Sequence, residues 1–220
     1  MDPLHVTTGA AAALVELPHL QLRKASVGPM DNNAYLLTDL ASGQQCLVDA
    51  ASDAPRLNRL VNEGTGRLDL LVTTHRHHDH VGALAAMAAA WPEAVTLAGG
   101  ADADALPVVP DRRLRHGETL ALGESTLRVI ELRGHTPGGV ALAYTCPDSG
   151  VTHVLTGDSL FPGGVGNTRN PGQDFAQLID DVERRVFDVY PDAHIHPGHG
   201  DSTTLAAERP HLEEWHARGW

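Results

Sequence analysis

Lysine is almost absent from this chain: Lys24 is the single one among 220 residues. Lys and Arg together number 16 against 28 carboxylates, for a formal net charge of −12 with histidine neutral. Displacing counterions from a nucleic-acid backbone takes cationic side chains, as does docking on an anionic membrane surface. The charge therefore argues for neither nucleic acid nor membrane as partner. Cysteine is nearly as scarce. Cys46 and Cys146 are the only two, with no Cys-x-x-Cys between them. No disulfide framework is indicated, and a reduced, cytoplasmic protein with two small buried thiols is the simpler expectation. No apolar run reaches transmembrane length, and the start lacks the basic stretch of a signal peptide. There is no Gly-x-Ser-x-Gly elbow and no phosphate-cradling Gly-Lys-Ser/Thr loop, so a serine nucleophile or a nucleotide-binding loop is not expected.

What is present is the composition of a globular protein, 42% hydrophobic and 20% charged, and 1–220 is expected to form a single domain. Short apolar or alternating runs predict strands over 20–27, 34–38, 46–49, 68–73, 95–98, 118–122, 126–132, 140–145, 151–156 and 193–196. Asp53 as a cap with Pro55 in the first turn predicts a helix to about 62. Further helices are predicted over 81–91, ended by Pro92, over 175–190 and over 204–215. Phe175, Leu178, Ile179, Val182, Val186 and Val189 mark one apolar face of the third. The stretches 99–110 and 161–172 read as loops. Strands and helices thus recur in two halves of similar size. Two sheets packed face to face with helices outside fit that order.

Residues 73–82 read Thr-Thr-His-Arg-His-His-Asp-His-Val-Gly, directly after an apolar run. His75, His77, Asp79 and His80 place four metal-competent side chains within six residues. Imidazole and carboxylate suit zinc, iron and manganese. In an extended segment residues two apart share a side, so His75 and His77 can reach one ion together. Asp79 and His80 lie where the chain turns, and can reach a second beside it. Three more ligand-type residues follow strand-like runs in Gly-flanked turns: His135 in Gly-His-Thr-Pro-Gly, Asp158 in Thr-Gly-Asp-Ser, and His199 in Pro-Gly-His-Gly. Loops at one edge of a sheet deliver side chains to a shared site in this way.

The ordered set His75, His77, Asp79, His80, His135, Asp158, His199 resembles the metallo-β-lactamase superfamily, and most closely its glyoxalase II-type hydrolases. Asn33-Ala34-Tyr35-Leu36-Leu37, Leu47-Val48-Asp49 and Leu160-Phe161-Pro162-Gly163-Gly164 are softer matches. The resemblance implies an α/β fold, the αβ/βα four-layer sandwich with two mixed sheets. It implies two divalent metal ions, zinc first and iron or manganese as alternatives: His75, His77 and His135 for the first, Asp79, His80 and His199 for the second, Asp158 shared. It implies a hydrolase that cleaves a small-molecule thioester or ester with a metal-bridging hydroxide, Asp79 orienting that nucleophile. Two ions roughly 3.5–4 Å apart lower the pKa of a shared water toward neutrality. A thiolate leaves almost unaided, whereas an amide nitrogen needs a positioned acid; thioesters or lactones are the easier substrates. A mononuclear iron persulfide dioxygenase and a lactonase are the alternatives on the same scaffold.

Two departures stand out. Only 21 residues follow His199, so the helical domain that binds glutathione conjugates in full-length glyoxalase II is expected to be missing, and a thiol other than glutathione is expected. Gly139 stands where many relatives carry His or Ser. Asn167 and Arg169 are the expected substrate contacts, Arg169 pairing with a carboxylate on the thiol. Asp49 is a candidate to orient a ligand imidazole. His196 is expected buried and hydrogen-bonded, His78 behind the ligands or at the surface rather than a ligand itself, and His116, His153 and His194 at the surface or at strand ends.

Overall fold

The computed structural model describes residues 4–219; the two ends of the expected domain, 1–3 and 220, lie outside the described residues. The first half of the chain folds into a seven-stranded sheet in simple sequence order: β1 (Ala13–Glu16), β2 (Leu20–Val27), β3 (Asn32–Asp39), β4 (Gln45–Val48), β5 (Leu70–Thr73), β6 (Val95–Gly99) and β7 (Arg112–Leu114). The pairs up to β3–β4 are antiparallel and those from β4 to β7 parallel. The second half adds β8 (Thr119–Leu122), β9 (Ser125–Glu131), β10 (Val140–Thr145), β11 (Thr152–Gly157), a small hairpin of β12 (Leu160–Phe161) with β13 (Gly164–Val165), then β14 (His194–Pro197) and β15 (Thr203–Thr204). Its six-stranded sheet runs β15-β14-β11-β10-β9-β8, antiparallel except for β11 with β14.

Three separate apolar clusters fill three interfaces, and these define four layers. Between the sheets, Tyr35, Leu37, Val48 and Val72 meet Leu127, Val129, Leu142 and Leu155. The alternate residues Ala34, Leu36 and Leu47 face outward onto Leu57, Leu60 and Val61 of α1 (Ala54–Glu63) and onto Leu84 and Met87 of α2 (Leu84–Ala90). On the far side Ala141, Val154 and Ile195 pack against Leu178, Ile179 and Val182 of α3 (Phe175–Val182) and against Trp215. A period of two on the strands thus sends one face to the sheet–sheet core and the other to helices. The expected sandwich of two mixed sheets with helices outside is the architecture found.

Several element boundaries differ from the sequence expectation. The helix expected from 81 starts at Leu84 after a 3-10 turn at His78–His80. A Cβ on Gly82 would lie 2.7 Å from the Ala51 carbonyl, so the chain runs too close to its neighbour there for a longer helix. The helix expected over 175–190 becomes a π-turn at Glu183–Phe187, and Val189 lies beyond it, 46% exposed. The final helix is broken into α4 (Leu205–Glu208), a 3-10 turn containing Pro210, and α5 (Leu212–Arg218). Pro210 lacks the N–H that would continue the helix.

Candidate metal centre

Each of the seven residues leaves the fold at the C-terminal end of a strand or in the loop that follows it. The loop after β5 carries His75, His77, Asp79 and His80; the β9–β10 connection carries His135; Asp158 follows β11 and His199 follows β14. His75, His77 and His135 offer ligand atoms within 4.8 Å of one another, and so do Asp79, His80 and His199. Asp158 stands between them. Its Oδ2 lies 3.5 Å from His135 Nε2, 4.0 Å from His75 Nε2 and 3.4 Å from His199 Nε2, and its Oδ1 lies 3.3 Å from His80 Nε2. In the second group His80 Nε2 and His199 Nε2 are 3.2 Å apart, with Asp79 Oδ2 3.5 and 3.3 Å from them.

Four of the rings are held from behind. His75 Nδ1 donates to Thr74 Oγ1 at 3.0 Å, His80 Nδ1 to Asp49 Oδ2 at 2.9 Å, His135 Nδ1 to the Asn167 carbonyl at 2.7 Å and His199 Nδ1 to the Met30 carbonyl at 2.8 Å. Each Nε2 is thereby turned to the centre, as an imidazole ligand requires. His75 Nε2 and His135 Nε2 are buried and have no hydrogen-bond partner. Orphaned buried polar atoms are costly, and two of them within ligand distance of each other fit a divalent cation. Asp49, His75 and His80 also lie within ligand distance of one another. Asp49 is already committed, accepting from Thr74 N at 2.7 Å, Thr74 Oγ1 at 2.8 Å and His80 Nδ1, so it orients His80 as anticipated.

The electrostatics match a cation-binding centre. Burial, reinforced by the neighbouring imidazoles, holds His75 well below the usual histidine range and keeps it neutral. Burial likewise lowers His77, with His135 beside it. For Asp158, burial opposes ionisation, but hydrogen bonds from His199 and His80 outweigh it and hold the carboxyl well below the usual range. Burial also works against a charged His80; its bonds to Asp158 and Asp49 prevail and raise it to about 10. The paired carboxylates therefore demand positive charge here, and without an ion a proton supplies it.

Of the expected substrate contacts, Asn167 touches the site through its carbonyl on His135. Arg169 lies exposed on the same loop, its backbone N–H on Asn167 Oδ1 at 3.2 Å. His78 is exposed, as expected. His196 is buried, 3.2 Å from Ser202 Oγ and 3.0 Å from His153 Nδ1. His153 stands at the start of β11, the expected strand end, but is buried rather than at the surface: it is 6% exposed, its ring stacked on His194 and its Nδ1 3.0 Å from His196 Nε2. Gly139 has a steric origin, since a Cβ would lie 2.6 Å from the Leu132 carbonyl.

Two contributors escaped the sequence reading. Buried Asp102 accepts from Arg76 N at 3.0 Å and Gly138 N at 2.9 Å, tying the first histidine loop to the loop of His135. Asn32 donates from Nδ2 to Asp79 Oδ2 at 3.0 Å. Neither carries a motif; only the adjacency of Asn32 to Asn33-Ala34-Tyr35 hinted at it.

Fold and site together describe a candidate metal centre, and comparison with known proteins gives its family. The model of the metallo-beta-lactamase superfamily matches residues 27–199, and the chain belongs to that superfamily. It is 42% identical over 136 residues to a hydroxyacylglutathione hydrolase of Fuscovulum blasticum, covering 62% of this chain and 51% of that protein. It is 30% identical over 186 residues to hydroxyacylglutathione hydrolase GloC of Haemophilus influenzae, covering 74% of this chain and 83% of that one. The chain thus spans about half the length of the first relative and most of the second. The crystal structure of TTHA1623 in a di-iron-bound form is similar with a TM-score of 0.71 and 32% identity, over 84% of this chain and 96% of that one.

Proposed function

We propose that this chain is a metal-dependent hydrolase of thioesters, of the hydroxyacylglutathione hydrolase type, built as one domain that holds two divalent ions. The observation that carries this reading is the pair of three-residue clusters with Asp158 facing both. His75, His77 and His135 would hold one ion, Asp79, His80 and His199 the other, and Asp158 both. Zinc is our assignment, iron and manganese being the other outcomes of metal analysis. Such a pair supplies Lewis-acid activation of water and stabilisation of charge on a carbonyl oxygen.

The chain's own side chains do the rest. Asp79 is held below the usual carboxylate range: its burial works the other way, but the Asn32 hydrogen bond and the His80 charge outweigh it. It is ionised at neutral pH and can accept a hydrogen bond from an incoming water, orienting its lone pair on the acyl carbon. A thiolate, with a parent pKa near 8.5, needs little help to leave, and among the described residues no side chain is placed as a dedicated acid. Thioesters therefore rank above amides, with esters and lactones next. Arg169 is our candidate for a carboxylate on the thiol. A mononuclear iron dioxygenase would need only the first cluster and Asp158; the complete second cluster favours the hydrolase.

Cys46 and Cys146 are buried, unpaired thiols, which suits a reducing cytoplasm. Among the described residues no helix is long and apolar enough to cross a membrane. The test is metal analysis of purified protein together with initial rates on a panel of hydroxyacyl thioesters of several thiols and on lactones. Two ions per chain and thioester turnover are expected. One iron per chain, with oxygen uptake on a persulfide and no thioester cleavage, would overturn the reading.

A further inference from the structure

Asn32 opens β3 in the first sheet and is 1% exposed. Among the described residues its side-chain hydrogen-bond contacts go to one of the two clusters. Nδ2 donates to Asp79 Oδ2 at 3.0 Å and lies 3.5 Å from His80 Nε2 and 3.4 Å from His199 Nε2. One carboxamide thus touches every member of the Asp79–His80–His199 group. Asp79 Oδ2 is also the oxygen that faces both rings. A donor fixed on that atom selects which oxygen points to the centre and limits rotation of the carboxylate.

The backbone around Asn32 joins the halves at the same place. Asn32 forms an isolated antiparallel bridge with His199. Asn33 N donates to the Gly198 carbonyl at 2.7 Å, and Asn33 Nδ2 to the Pro197 and Gly200 carbonyls at 2.9 Å each. Tyr35 Oη donates to the Pro197 carbonyl at 2.7 Å, and Lys24 Nζ to the Gly200 carbonyl. The turn that carries His199, from the second sheet, is therefore clamped onto the strand start that carries Asn32, from the first. Asp79 and His80 belong to the first half and His199 to the second. Asn32 is the side chain that spans them.

We propose that Asn32 is a positioning residue for the second ion alone: its N–H fixes Asp79 Oδ2 between His80 and His199 and so registers the two halves of that ion's ligand set. The proposal rests on the two-ion reading above. A bland alternative is that Asn32 only fills space and satisfies its own polar atoms. Two variants separate these. N32A removes donor and volume; N32L keeps the volume and removes the donor.

The probe is zinc alone, competed against a chromophoric chelator, with H77A and H199A identifying which binding phase belongs to which cluster. In both Asn32 variants the second phase is expected to weaken about 10–100-fold, the usual cost of losing a hydrogen-bond partner behind a metal ligand. The first phase stays at the wild-type value, and so does thermal unfolding of metal-free N32L. Recovery of wild-type binding in N32L, equal weakening of both phases, or no change in either would overturn the proposal. Wild-type protein that binds no second ion overturns both this and the two-ion reading. Two ions without thioester cleavage refute the proposed activity and leave the role of Asn32 standing or falling on the zinc data.

Discussion

Gly198 offers a perturbation whose size can be worked from the structure. It lies immediately before His199 in the clamped turn, and its φ is not in the left-handed region, so alanine adds steric bulk and little backbone strain. A Cβ there would press on Asp158 Oδ1 and lie 2.7 Å from His80 Cε1, where ordinary contact begins at 3.4 Å. The ring must give by 3.4 − 2.7 = 0.7 Å, and the carboxylate by more. His80 is held at 2.9 Å from Asp49 Oδ2, so such a shift takes that bond out of range. Asp158 Oδ1 is the atom facing His80 Nε2 at 3.3 Å. Overpacking of this kind costs about 1–3 kcal/mol, which for a chain of this size lowers Tm by about 2–12 °C. A ligand displaced by about 1 Å costs about 100-fold in rate. G198A should therefore lose zinc at the second cluster on dialysis, melt lower when metal-free, and turn thioesters over about 100-fold more slowly. Gly200→Asn is the control: its neighbourhood is open and its φ of 63° tolerates Asn. If G198A keeps both ions, the wild-type rate and the wild-type Tm, the close packing of this turn on Asp158 is not what fixes the site.

Three further perturbations test other parts of the structure. Asp49→Asn removes the carboxylate behind His80; calorimetric titration should show zinc affinity at the second cluster about 10–100-fold lower, and unchanged affinity would refute the orienting role. Acid should destabilise the metal-free protein through His153, which burial, with His194 nearby, pushes down to about 4. The unfolded chain takes up that proton near 6.5 and the folded chain only near 4, so this stability is complete above pH 6.5 and drains away as pH falls toward 4, by up to about 3 kcal/mol. Urea unfolding of wild type and H153Q between pH 7 and pH 4 should converge on acidification, and parallel curves would exclude His153. Arg169→Ala should raise KM for thioesters of carboxylate-bearing thiols while leaving kcat and neutral substrates alone; equal effects on both would remove Arg169 from substrate recognition.

Much of this was legible in the sequence because two periods dominate it. Ala34, Leu36 and Leu47 alternate with Tyr35, Leu37 and Val48 onto different cores, and that alternation is a property of the strand itself. The seven candidate ligands were legible because each sits after an apolar run, in a turn marked by Gly or Thr. The edges were not. β1, β7, the β12–β13 hairpin and β15 are two to four residues long, too short for a pattern; β1, β7 and β15 pair with longer neighbours, and β12 and β13 pair only with each other. The late start of α2 accompanies the close approach of Gly82 to Ala51, a tertiary contact, whereas the break between α4 and α5 is local and comes from Pro210.

What sequence could not reach is the set of contacts between the halves, because no local pattern encodes them. His153 read as a strand-end histidine. It is buried because β11 pairs parallel with β14, which sets it beside His194 in register, and His196 follows two residues on with its ring in line. Asn32 and Asp102 present the same difficulty with greater consequence. Asn32 meets Asp79 across 47 positions and His199 across 167, and Asp102 meets Gly138 across 36. Such neutral or acidic side chains can pass for turn residues. Their role appears only when the two sheets close, since that closure is what brings the His199 turn onto the start of β3. The ligand identities are thus written locally, while the geometry that lets them act as one centre is a property of the sheet-to-sheet interface.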